Sequence, residues 1–357
     1  MKHLELFSGI GGFRRALDVL TLDGIMPFEC VGFSEIDEKA KKTYKSVYNT
    51  DGELDMGDIV EFTADKEKMK SLPDFDLLTG GFPCQTFSMM GKQAGFNEER
   101  GLMFFRIMDI VREKSPKYLL LENVKNLYTH DKGRTFARIE KELKEAGYNV
   151  CSSIFNTADF HLPQKRSRVL IFATKEELPE NFGECFNCRT VKALYDENYK
   201  SLGTFHYANT LSLLAKNVNK KYFLSERIKP TILANGSAGF TSKSDINQLI
   251  ARPLTASMHK MHRACQDNYY SQDFIESGGK INHVDDYTKE QLATLDIRKL
   301  TPEEAFMLQG FPEKFAKEAM ANGVSDGALY KQAGNAVSVN TIYAVLYFLI
   351  KKGVIHE

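Results

Sequence analysis

The sequence predicts an α/β fold with a doubly wound, mostly parallel sheet and a second, smaller domain. Short apolar runs alternate with amphipathic segments through the first 180 residues, and polar or glycine residues follow each apolar run. This alternation is typical of βαβ units whose parallel strands join one sheet. It disappears between about residues 185 and 295 and partly resumes afterwards. We therefore predict one domain from residues 1–180 with 296–357, and a smaller domain from residues 185–295.

The predicted strands are the short apolar runs, at residues 4–7, 30–33, 75–79, 118–121, 151–155 and 169–173. Apolar residues at helical spacing follow the first run, beginning at Phe13 and ending at Leu20. Thr301 followed by Pro302 marks the start of a later helix, since proline is favoured at the first helical position. A last helix is predicted from Val339 to Leu349.

Composition limits the classes of protein that the chain can belong to. Its 357 residues, 43% of them hydrophobic, permit a large core, and no run approaches the roughly 18 apolar residues that cross a bilayer. The segment Met1-Lys2-His3-Leu4-Glu5 is too short and too acidic for a signal peptide. Six scattered cysteines favour a reduced, cytoplasmic protein. Cys185 and Cys188 form one C-x-x-C without a second pair, so we predict no metal.

A cysteine lies at the end of a predicted strand, in the stretch GGFPCQTFS that begins at Gly80. Two glycines allow the backbone to turn, and Pro83 stiffens the chain just before Cys84. In open α/β sheets, ligands bind at the carboxyl ends of the strands. A reactive thiol and a packed thiol both fit this stretch taken alone.

A glycine loop follows the first strand, with the sequence Phe7-Ser8-Gly9-Ile10-Gly11-Gly12. It lacks the full G-x-G-x-x-G pattern of dinucleotide binders, and a loop this compact suits a ligand without a pyrophosphate, such as S-adenosylmethionine. Glu35 and Asp58 follow two further strand-like runs, where they could accept hydrogen bonds from a ribose and an adenine amino group. The alternative is a tight turn with two helix caps.

Glu122 and Asn123 end another apolar run. A carboxyl group there should have a raised pKa, because desolvation disfavours its charged form, and it could then donate a proton near neutral pH. A helix-capping or ion-paired glutamate is the alternative. Arg166 and Arg168 alternate into the next predicted strand, so that one could reach a cleft and the other a phosphate.

The motifs occur in a familiar order: F-x-G-x-G-G, G-F-P-C-Q, E-N-V, Q-K-R-x-R, R-K-L-T-P-E-E-A with Q-G-F-P, and G-N-A-V. In this order the chain resembles the DNA (cytosine-5) methyltransferases of bacterial restriction–modification type. The resemblance extends from Leu4 to Leu349, and only residues 185–295 lie outside it. It implies a methyltransferase that uses S-adenosylmethionine and acts on a cytosine flipped out of duplex DNA.

The resemblance also implies a role for each matching residue. Cys84 would attack cytosine C6, Glu122 would hold the base and protonate N3, Asn123 would brace that loop, Arg168 would contact the O2 edge and Arg166 would steady the neighbourhood. The residues expected around the cofactor are Phe7, Gly9, Ile10, Gly11, Glu35, Ile36, Asp58, Ile59, Pro83, Asn335 and Ala336. Those expected to contact DNA are Gln85, Ser88, Arg166, Arg227, Gly236, Thr255, Lys260 and Arg263.

Three other functions compete with this one. An RNA cytosine-5 methyltransferase would share the scaffold, but residues 185–295 have the size of a DNA target-recognition domain. A catalytically silent homologue is opposed by intact Cys84, Glu122 and Arg168, and a nicotinamide dehydrogenase by the incomplete glycine pattern. We expect a monomer of bacterial or phage origin that binds double-stranded DNA, with any cognate restriction endonuclease acting separately and no membrane association.

Overall fold

Two compact units make up the chain in a computed structural model that describes residues 1–83, 103–237 and 239–356. The first unit comprises Met1–Phe160, Ser167–Thr204 and Val337–Glu357, and the second comprises His161–Arg166 and Phe205–Ala336. These boundaries differ from the predicted ones, because residues 185–204 pack in the first unit and residues 296–336 in the second. The recognition role of the smaller unit stays a prediction.

The first unit is built on one seven-stranded sheet. Its strands are β1 (Lys2–Leu6), β2 (Glu29–Ser34), β3 (Leu54–Asp55), β4 (Leu77–Gly81), β5 (Tyr118–Val124), β6 (Asn149–Asn156) and β7 (Ser167–Thr174), in the order β3-β2-β1-β4-β5-β7-β6. Strands β1 to β5 are parallel to one another, and β7 lies antiparallel between β5 and β6. The predicted mostly parallel, doubly wound sheet is confirmed.

Nine helices of the described residues accompany this sheet. They are α1 (Gly12–Leu22), α2 (Glu38–Val47), α3 (Ile59–Ala64), α4 (Lys66–Ser71), α5 (Met103–Lys114), α6 (Arg134–Glu145), α7 (Phe182–Cys185), α8 (Cys188–Asn198) and α15 (Val339–Lys351). The strands contribute fully buried apolar side chains such as Leu4, Leu78 and Ile171 to the core. Continuous apolar strands of this kind are typical of parallel sheets that are covered on both faces.

Helix α15 joins the first unit although it lies far along the chain. It packs against α1 and α8, and Tyr343 meets Tyr195 of α8 with ring centroids 6.2 Å apart. The 26-residue helical stretch Asp326–Lys351 is long and apolar enough to span a membrane, but 83% of its apolar window is buried in the protein, as in a core helix. Polar residues such as Asn340 interrupt this stretch, so the sequence shows no continuous apolar run of membrane-spanning length there.

The second unit consists of short elements joined by irregular segments, as its composition predicts. Its helices are α9 (Lys229–Leu233), α10 (Gln272–Glu276), α11 (Lys289–Leu292), α12 (Pro302–Leu308), α13 (Glu313–Ala321) and α14 (Asp326–Asn335), and its strands are β8 (Gly236–Ser237), β9 (Phe240–Thr241), β10 (Tyr269–Ser271) and β11 (Ile297–Lys299). A small apolar core includes Ile232, Leu233 and Ile297.

A buried ion pair ties β11 to α12 in the second unit. The two terminal nitrogens of Arg298 each lie 2.8 Å from a carboxylate oxygen of Glu304, and both residues are at most 2% exposed. Glu304 also accepts from the Thr301 backbone N–H, while the Thr301 hydroxyl accepts from the Glu304 N–H. Thr301 and Glu304 thus form a capping box, and the predicted helix start at Thr301 and Pro302 is confirmed.

Replacing Arg298 with methionine should destabilise the protein by about 3–5 kcal/mol, because the change leaves the Glu304 carboxylate buried without its partner. Urea unfolding followed by circular dichroism measures the difference. The double variant Arg298→Met/Glu304→Gln should recover part of the loss, since glutamine can still accept from Thr301. A single variant as stable as the wild type would show that the pair contributes nothing.

Strand β1 carries two buried ionisable groups, His3 and Glu5, which are 1% and 0% exposed. Burial lowers the pKa of His3 to about 3 and raises the pKa of Glu5 to about 8. The Tyr44 hydroxyl donates to Glu5 at 3.1 Å and the Arg14 backbone N–H at 3.3 Å. The fold therefore favours neutral forms of both groups.

Glu5 should make the protein less stable as the pH rises from about 4.5 to about 8, because the folded state holds a proton that the unfolded state has lost. His3 acts in the opposite sense, but only below pH 6.5, where the unfolded state is the better proton binder. Glu5→Gln should therefore flatten the stability profile between pH 6.5 and 8, where one group contributes at most about 1.4 kcal/mol per pH unit. Urea unfolding at several pH values tests this, and parallel profiles of variant and wild type would contradict it.

Candidate active site

The glycine loop between β1 and α1 is tightly closed. Phe7, Gly9 and Gly11 all have positive φ angles, of 53°, 56° and 79°. A Cβ atom at Gly11 would lie 2.4 Å from the Tyr48 ring, so only glycine fits that position. A Cβ at Gly9 would meet no atom within 4 Å, and Ile10 is buried. The loop thus packs on one side and leaves space at Gly9 on the other.

Glu35 ties the glycine loop to the end of β2. One carboxylate oxygen accepts from the Gly9 backbone N–H at 2.8 Å, and the other accepts from the Asp37 N–H at 2.7 Å. Burial raises the pKa of Glu35, while the two backbone donors oppose that shift. Ile36 beside it is 69% exposed.

Asp58 lies at the end of the next strand along the sheet edge, where it caps α3. Its carboxylate accepts from the Val60 backbone N–H at 2.8 Å, and Ile59 beside it is buried. Asp58 is thus one of the two helix caps that the alternative requires, whereas Glu35 caps no helix, because Asp37 is the N-cap of α2. The role of both carboxylates as cofactor ligands stays a prediction. The open space at Gly9, the exposed face of Ile36 and the carboxylates of Glu35 and Asp58 fit a nucleoside-bearing cofactor with hydroxyl and amino donors.

Asn123 braces the ends of two neighbouring strands. Its side-chain nitrogen donates to the Phe82 carbonyl at 2.9 Å, and its side-chain oxygen accepts from the Val124 N–H at 2.8 Å. Asn123 is 1% exposed, so both bonds are shielded from water. The amide therefore fixes the backbone just before Pro83, which is exposed.

Glu122 is 8% exposed and forms an ion pair with Arg168. The Arg168 Nε lies 2.8 Å from a Glu122 carboxylate oxygen. The antiparallel register of β5 and β7, which aligns Val124 with Arg168, brings the two side chains together. A Cβ at Gly81 would lie 3.1 Å from the other Glu122 oxygen, so the glycine leaves room for the carboxylate.

This ion pair is the alternative that the sequence left open for Glu122. The Arg168 guanidinium therefore lies against the carboxyl group that was predicted to donate a proton, and the role of Glu122 as a proton donor stays a prediction.

Cys84, Gln85 and Ser88 lie outside the described residues. Three other cysteines are disfavoured as nucleophiles, because burial raises the pKa of Cys30 and Cys151 to about 12 and of Cys188 to about 11. The Cys188 thiol donates to an Asp159 oxygen at 3.4 Å. Across residues 1–83, 103–237 and 239–356, no three His, Cys, Asp or Glu side chains are grouped as a metal site would require.

Arg166 is buried, which opposes its predicted contact with DNA. It is 2% exposed and belongs to the second unit, where its terminal nitrogens donate to the carbonyls of Leu254, Gly334 and Ala336 at 2.9, 3.1 and 2.9 Å. Strand β7 begins only at Ser167, so the assumed strand alternation of Arg166 and Arg168 does not apply. The guanidinium instead stabilises the backbone of the second unit through these three hydrogen bonds.

The other described residues that were predicted to contact DNA also lie in the second unit. Arg227, Thr255 and Lys260 are exposed and Arg263 is half-buried. Gly236 begins β8 with a φ of 120°. Of the two predicted cofactor residues in this unit, Asn335 is exposed and Ala336 is 7% exposed.

Gln164 is a residue whose importance the sequence did not reveal. It belongs to the Q-K-R-x-R motif, but its amide is fully buried and bonded to three backbone or side-chain groups. A buried, fully bonded amide is costly to replace. The only available sequence signal was a glutamine that follows a proline and precedes two basic residues.

The mostly parallel sheet, the glycine loop and the polar residues at the strand ends define an α/β methyltransferase. The profile of the C-5 cytosine-specific DNA methylase family matches residues 1–351, and the chain belongs to that family.

Curated relatives match the chain over nearly its full length. The type II methyltransferase M1.ScrFI of Lactococcus lactis subsp. cremoris is 35% identical, over 96% of this chain and 76% of that protein. M.NgoBI of Neisseria gonorrhoeae, also a type II methyltransferase, is 34% identical over 96% and 91%. The orphan methyltransferase M.SPRI of Bacillus phage SPR is 28% identical over 98% and 97%.

Solved structures show the same fold at lower identity. The Schizosaccharomyces pombe Dnmt2 methyltransferase aligns with a TM-score of 0.72 at 19% identity, over 98% of each chain. The Entamoeba histolytica methyltransferase EhMeth aligns with a TM-score of 0.70 at 20% identity, over 98% of each chain. Both extend the agreement in fold beyond the first unit.

Proposed function

We propose that the chain transfers a methyl group from S-adenosylmethionine to C5 of a cytosine flipped out of a specific duplex DNA sequence, through a covalent bond between Cys84 and C6. The observation that carries this proposal is the buried Glu122–Arg168 pair beside the backbone that leads to Cys84. A carboxyl group and a guanidinium side by side can recognise N3, the exocyclic amine and O2 of one cytosine edge.

The ring needs activation because C5 of cytosine is a poor nucleophile. The Cys84 thiolate adds to C6 while Glu122 delivers a proton to N3, and the ring becomes an enamine with electron density at C5. C5 then takes the methyl group from the sulfonium sulfur of S-adenosylmethionine. The electron pair of that methyl carbon–sulfur bond stays on the sulfonium sulfur. The aromatic ring is restored when the C5 proton leaves to a base, the thiolate departs from C6 and the N3 proton returns to Glu122.

The cofactor, when bound, supplies an electrophilic methyl group. Glu35 would accept from its ribose hydroxyls, Asp58 from its adenine amine, and Ile36 would cover the adenine face. Phe7, Gly9, Ile10, Gly11, Ile59 and Pro83 would complete the surroundings within the first unit. Asn335 and Ala336 are assigned to the cofactor by the resemblance alone.

The second unit would read the DNA sequence. Guanine edges and phosphates are the usual partners of arginine and lysine, and Arg227, Lys260 and Arg263 carry accessible positive charge on this unit. The exposed Thr255 and the backbone at Gly236 would approach the duplex closely.

Single alanine substitutions at Arg227, Lys260 and Arg263 should separate base readers from phosphate contacts. Loss of a base contact should cost about 1–3 kcal/mol and relax the sequence preference, whereas loss of a phosphate contact should weaken binding uniformly. Methylation-aware sequencing of DNA from cells that express each variant measures the preference, and salt titration measures the binding. If all three variants keep wild-type affinity and site choice, other residues read the DNA.

Trapping with 5-fluorocytosine tests the proposed reaction. Fluorine cannot leave C5 as a cation, so a duplex with this base at the mapped target should stay bonded to the protein after methyl transfer. The product should survive denaturing electrophoresis, require S-adenosylmethionine and yield a modified Cys84 peptide by mass spectrometry.

The same assay separates the rival functions. An equivalent RNA that traps when the DNA does not would identify an RNA methyltransferase. Absence of any adduct under conditions where S-adenosylhomocysteine binds would identify a catalytically silent homologue. A duplex with ordinary cytosine is the control, since its adduct should resolve.

A role in restriction–modification is part of the proposal. The type II methyltransferases among the relatives support this role. In the proposal the endonuclease is a separate protein and the methyltransferase acts as a monomer. DNA methylated by the wild-type chain should resist an endonuclease that recognises the mapped site, and DNA from cells that express Cys84→Ser should be cut. Cleavage of both DNAs would contradict a protective role.

A further inference from the structure

The glycine loop between β1 and α1 has a backbone conformation that few residues adopt. Phe7, Gly9 and Gly11 all have φ angles in the left-handed region, and the first of them carries a bulky side chain. Residues with a side chain are strained in that region, and such a conformation persists only where the surrounding structure holds it. The shape of this loop therefore depends on fixed partners outside it.

Tyr48, at the end of α2, is one of these partners. Its hydroxyl donates to the Gly11 carbonyl at 2.8 Å, and the Ile10 carbonyl lies 3.5 Å from the same hydroxyl. Tyr48 is 8% exposed, and burial raises the pKa of its phenol well above the usual range, so the hydroxyl keeps its proton and can donate. The bond fixes the orientation of the peptide group that joins Gly11 to Gly12.

The Gly11 carbonyl also has a second donor. The Arg15 backbone N–H donates to it at 2.8 Å and begins the hydrogen bonds of α1. The carbonyl would therefore stay paired if the Tyr48 hydroxyl were removed, and a buried carbonyl that keeps one partner costs little. Loss of the hydroxyl should thus alter the shape of the loop more than the stability of the fold.

The ring of Tyr48 is itself held in place. The guanidinium carbon of Arg14 lies 5.1 Å from the ring centroid, and the Tyr44 ring centroid lies 4.8 Å from it. Arg14 is fixed in turn by Glu53, with 2.7 Å between its terminal nitrogen and a carboxylate oxygen, and both side chains are at most 12% exposed. The hydroxyl is therefore a donor with a set position before any ligand arrives.

We propose that Tyr48 is a positioning residue for the cofactor, because its hydroxyl holds the glycine loop in the shape that binds S-adenosylmethionine. The inference rests on the proposed function, which places the cofactor against this loop. Tyr48 holds the loop at Gly11, and Glu35 holds it at Gly9, where its carboxylate accepts from the backbone N–H at 2.8 Å. Glu35 is expected to touch the ligand, whereas Tyr48 acts through the backbone.

Tyr48→Phe tests this role, since it keeps the ring and removes only the hydroxyl. The affinity of the full chain for S-adenosylhomocysteine, measured by calorimetry, should fall about three- to tenfold, the range for loss of one hydrogen bond. The KM for S-adenosylmethionine should rise by a similar factor while kcat stays close to the wild-type value, because the loop contacts the cofactor before and during the reaction alike.

Tyr148→Phe is the matched control. The Tyr148 hydroxyl also donates to a backbone carbonyl, that of Pro116 at 2.6 Å, and Tyr148 is 3% exposed. Pro116 precedes β5, so this bond lies at the opposite edge of the sheet from the glycine loop. Tyr148→Phe should lower the stability in urea and keep the wild-type affinity for S-adenosylhomocysteine.

The outcomes separate the positioning role from the proposed function. Equal affinities of Tyr48→Phe and the wild type, or an equal loss of affinity in Tyr148→Phe, would overturn the role of Tyr48 and leave the proposed function intact. A wild-type chain that does not bind S-adenosylhomocysteine would contradict both. Weaker binding by Tyr48→Phe alone, in a chain that never methylates DNA, would support the role of Tyr48 and contradict the proposed function.

Discussion

Replacing Cys84 with serine should lower methyl transfer by at least about a thousandfold while the protein still folds and binds S-adenosylhomocysteine. Serine is close to cysteine in size, but its hydroxyl is far less ionised at neutral pH and far less nucleophilic. Without addition to C6, the ring never gains electron density at C5. Transfer of a tritiated methyl group to DNA measures the rate, and thermal melting with and without S-adenosylhomocysteine measures folding and cofactor binding.

Cys151→Ser is the matched control for this change. Cys151 lies buried in β6, and burial raises the pKa of its thiol to about 12, so the thiolate is scarce at neutral pH. This variant should lose some stability and keep its activity per folded molecule. Near-wild-type turnover by Cys84→Ser would remove that cysteine from the mechanism.

The sheet could be predicted because each of its main strands contains a short apolar run that is visible in the sequence. The runs predicted at residues 75–79 and 118–121 are rich in apolar residues because both faces of the sheet are covered, and glycine or polar residues follow each run. The glycine loop, Glu35 and Glu122 could be proposed as site residues in the same way, since ligand sites lie at the carboxyl ends of parallel strands. The start of α12 followed from Thr301 and Pro302 alone.

Contacts between distant segments could not be predicted in this way. Arg168 meets Glu122 because β7 is inserted antiparallel beside β5, and nothing local to either residue gives that register. The position of Arg166 could not be predicted either. It lies just outside β7, and its side chain donates hydrogen bonds to backbone carbonyls of the second unit. The division into units depends on similar contacts, such as that of Tyr195 with Tyr343.

Replacing Glu122 with glutamine should lower methyl transfer by about 10²–10⁴-fold, the range for losing a general acid. Glutamine has nearly the same shape and can still accept from the Arg168 Nε, so the ends of β5 and β7 should keep their geometry. It cannot deliver a proton to N3, so addition of the thiolate to C6 would leave an uncompensated negative charge on the ring. The loss should appear in kcat, with the affinity for S-adenosylhomocysteine unchanged.

Glu142→Gln provides the comparison that makes the Glu122 result specific. Glu142 is also buried, at 7% exposure, and its two oxygens pair with Arg112 at 2.8 Å and Arg138 at 2.7 Å on the side of the sheet occupied by α6. The same chemical change there should alter stability and leave kcat close to the wild-type value. If both variants lose activity equally after correction for the folded fraction, Glu122 acts only through folding. If Glu122→Gln alone keeps full activity, the proton reaches N3 from another group.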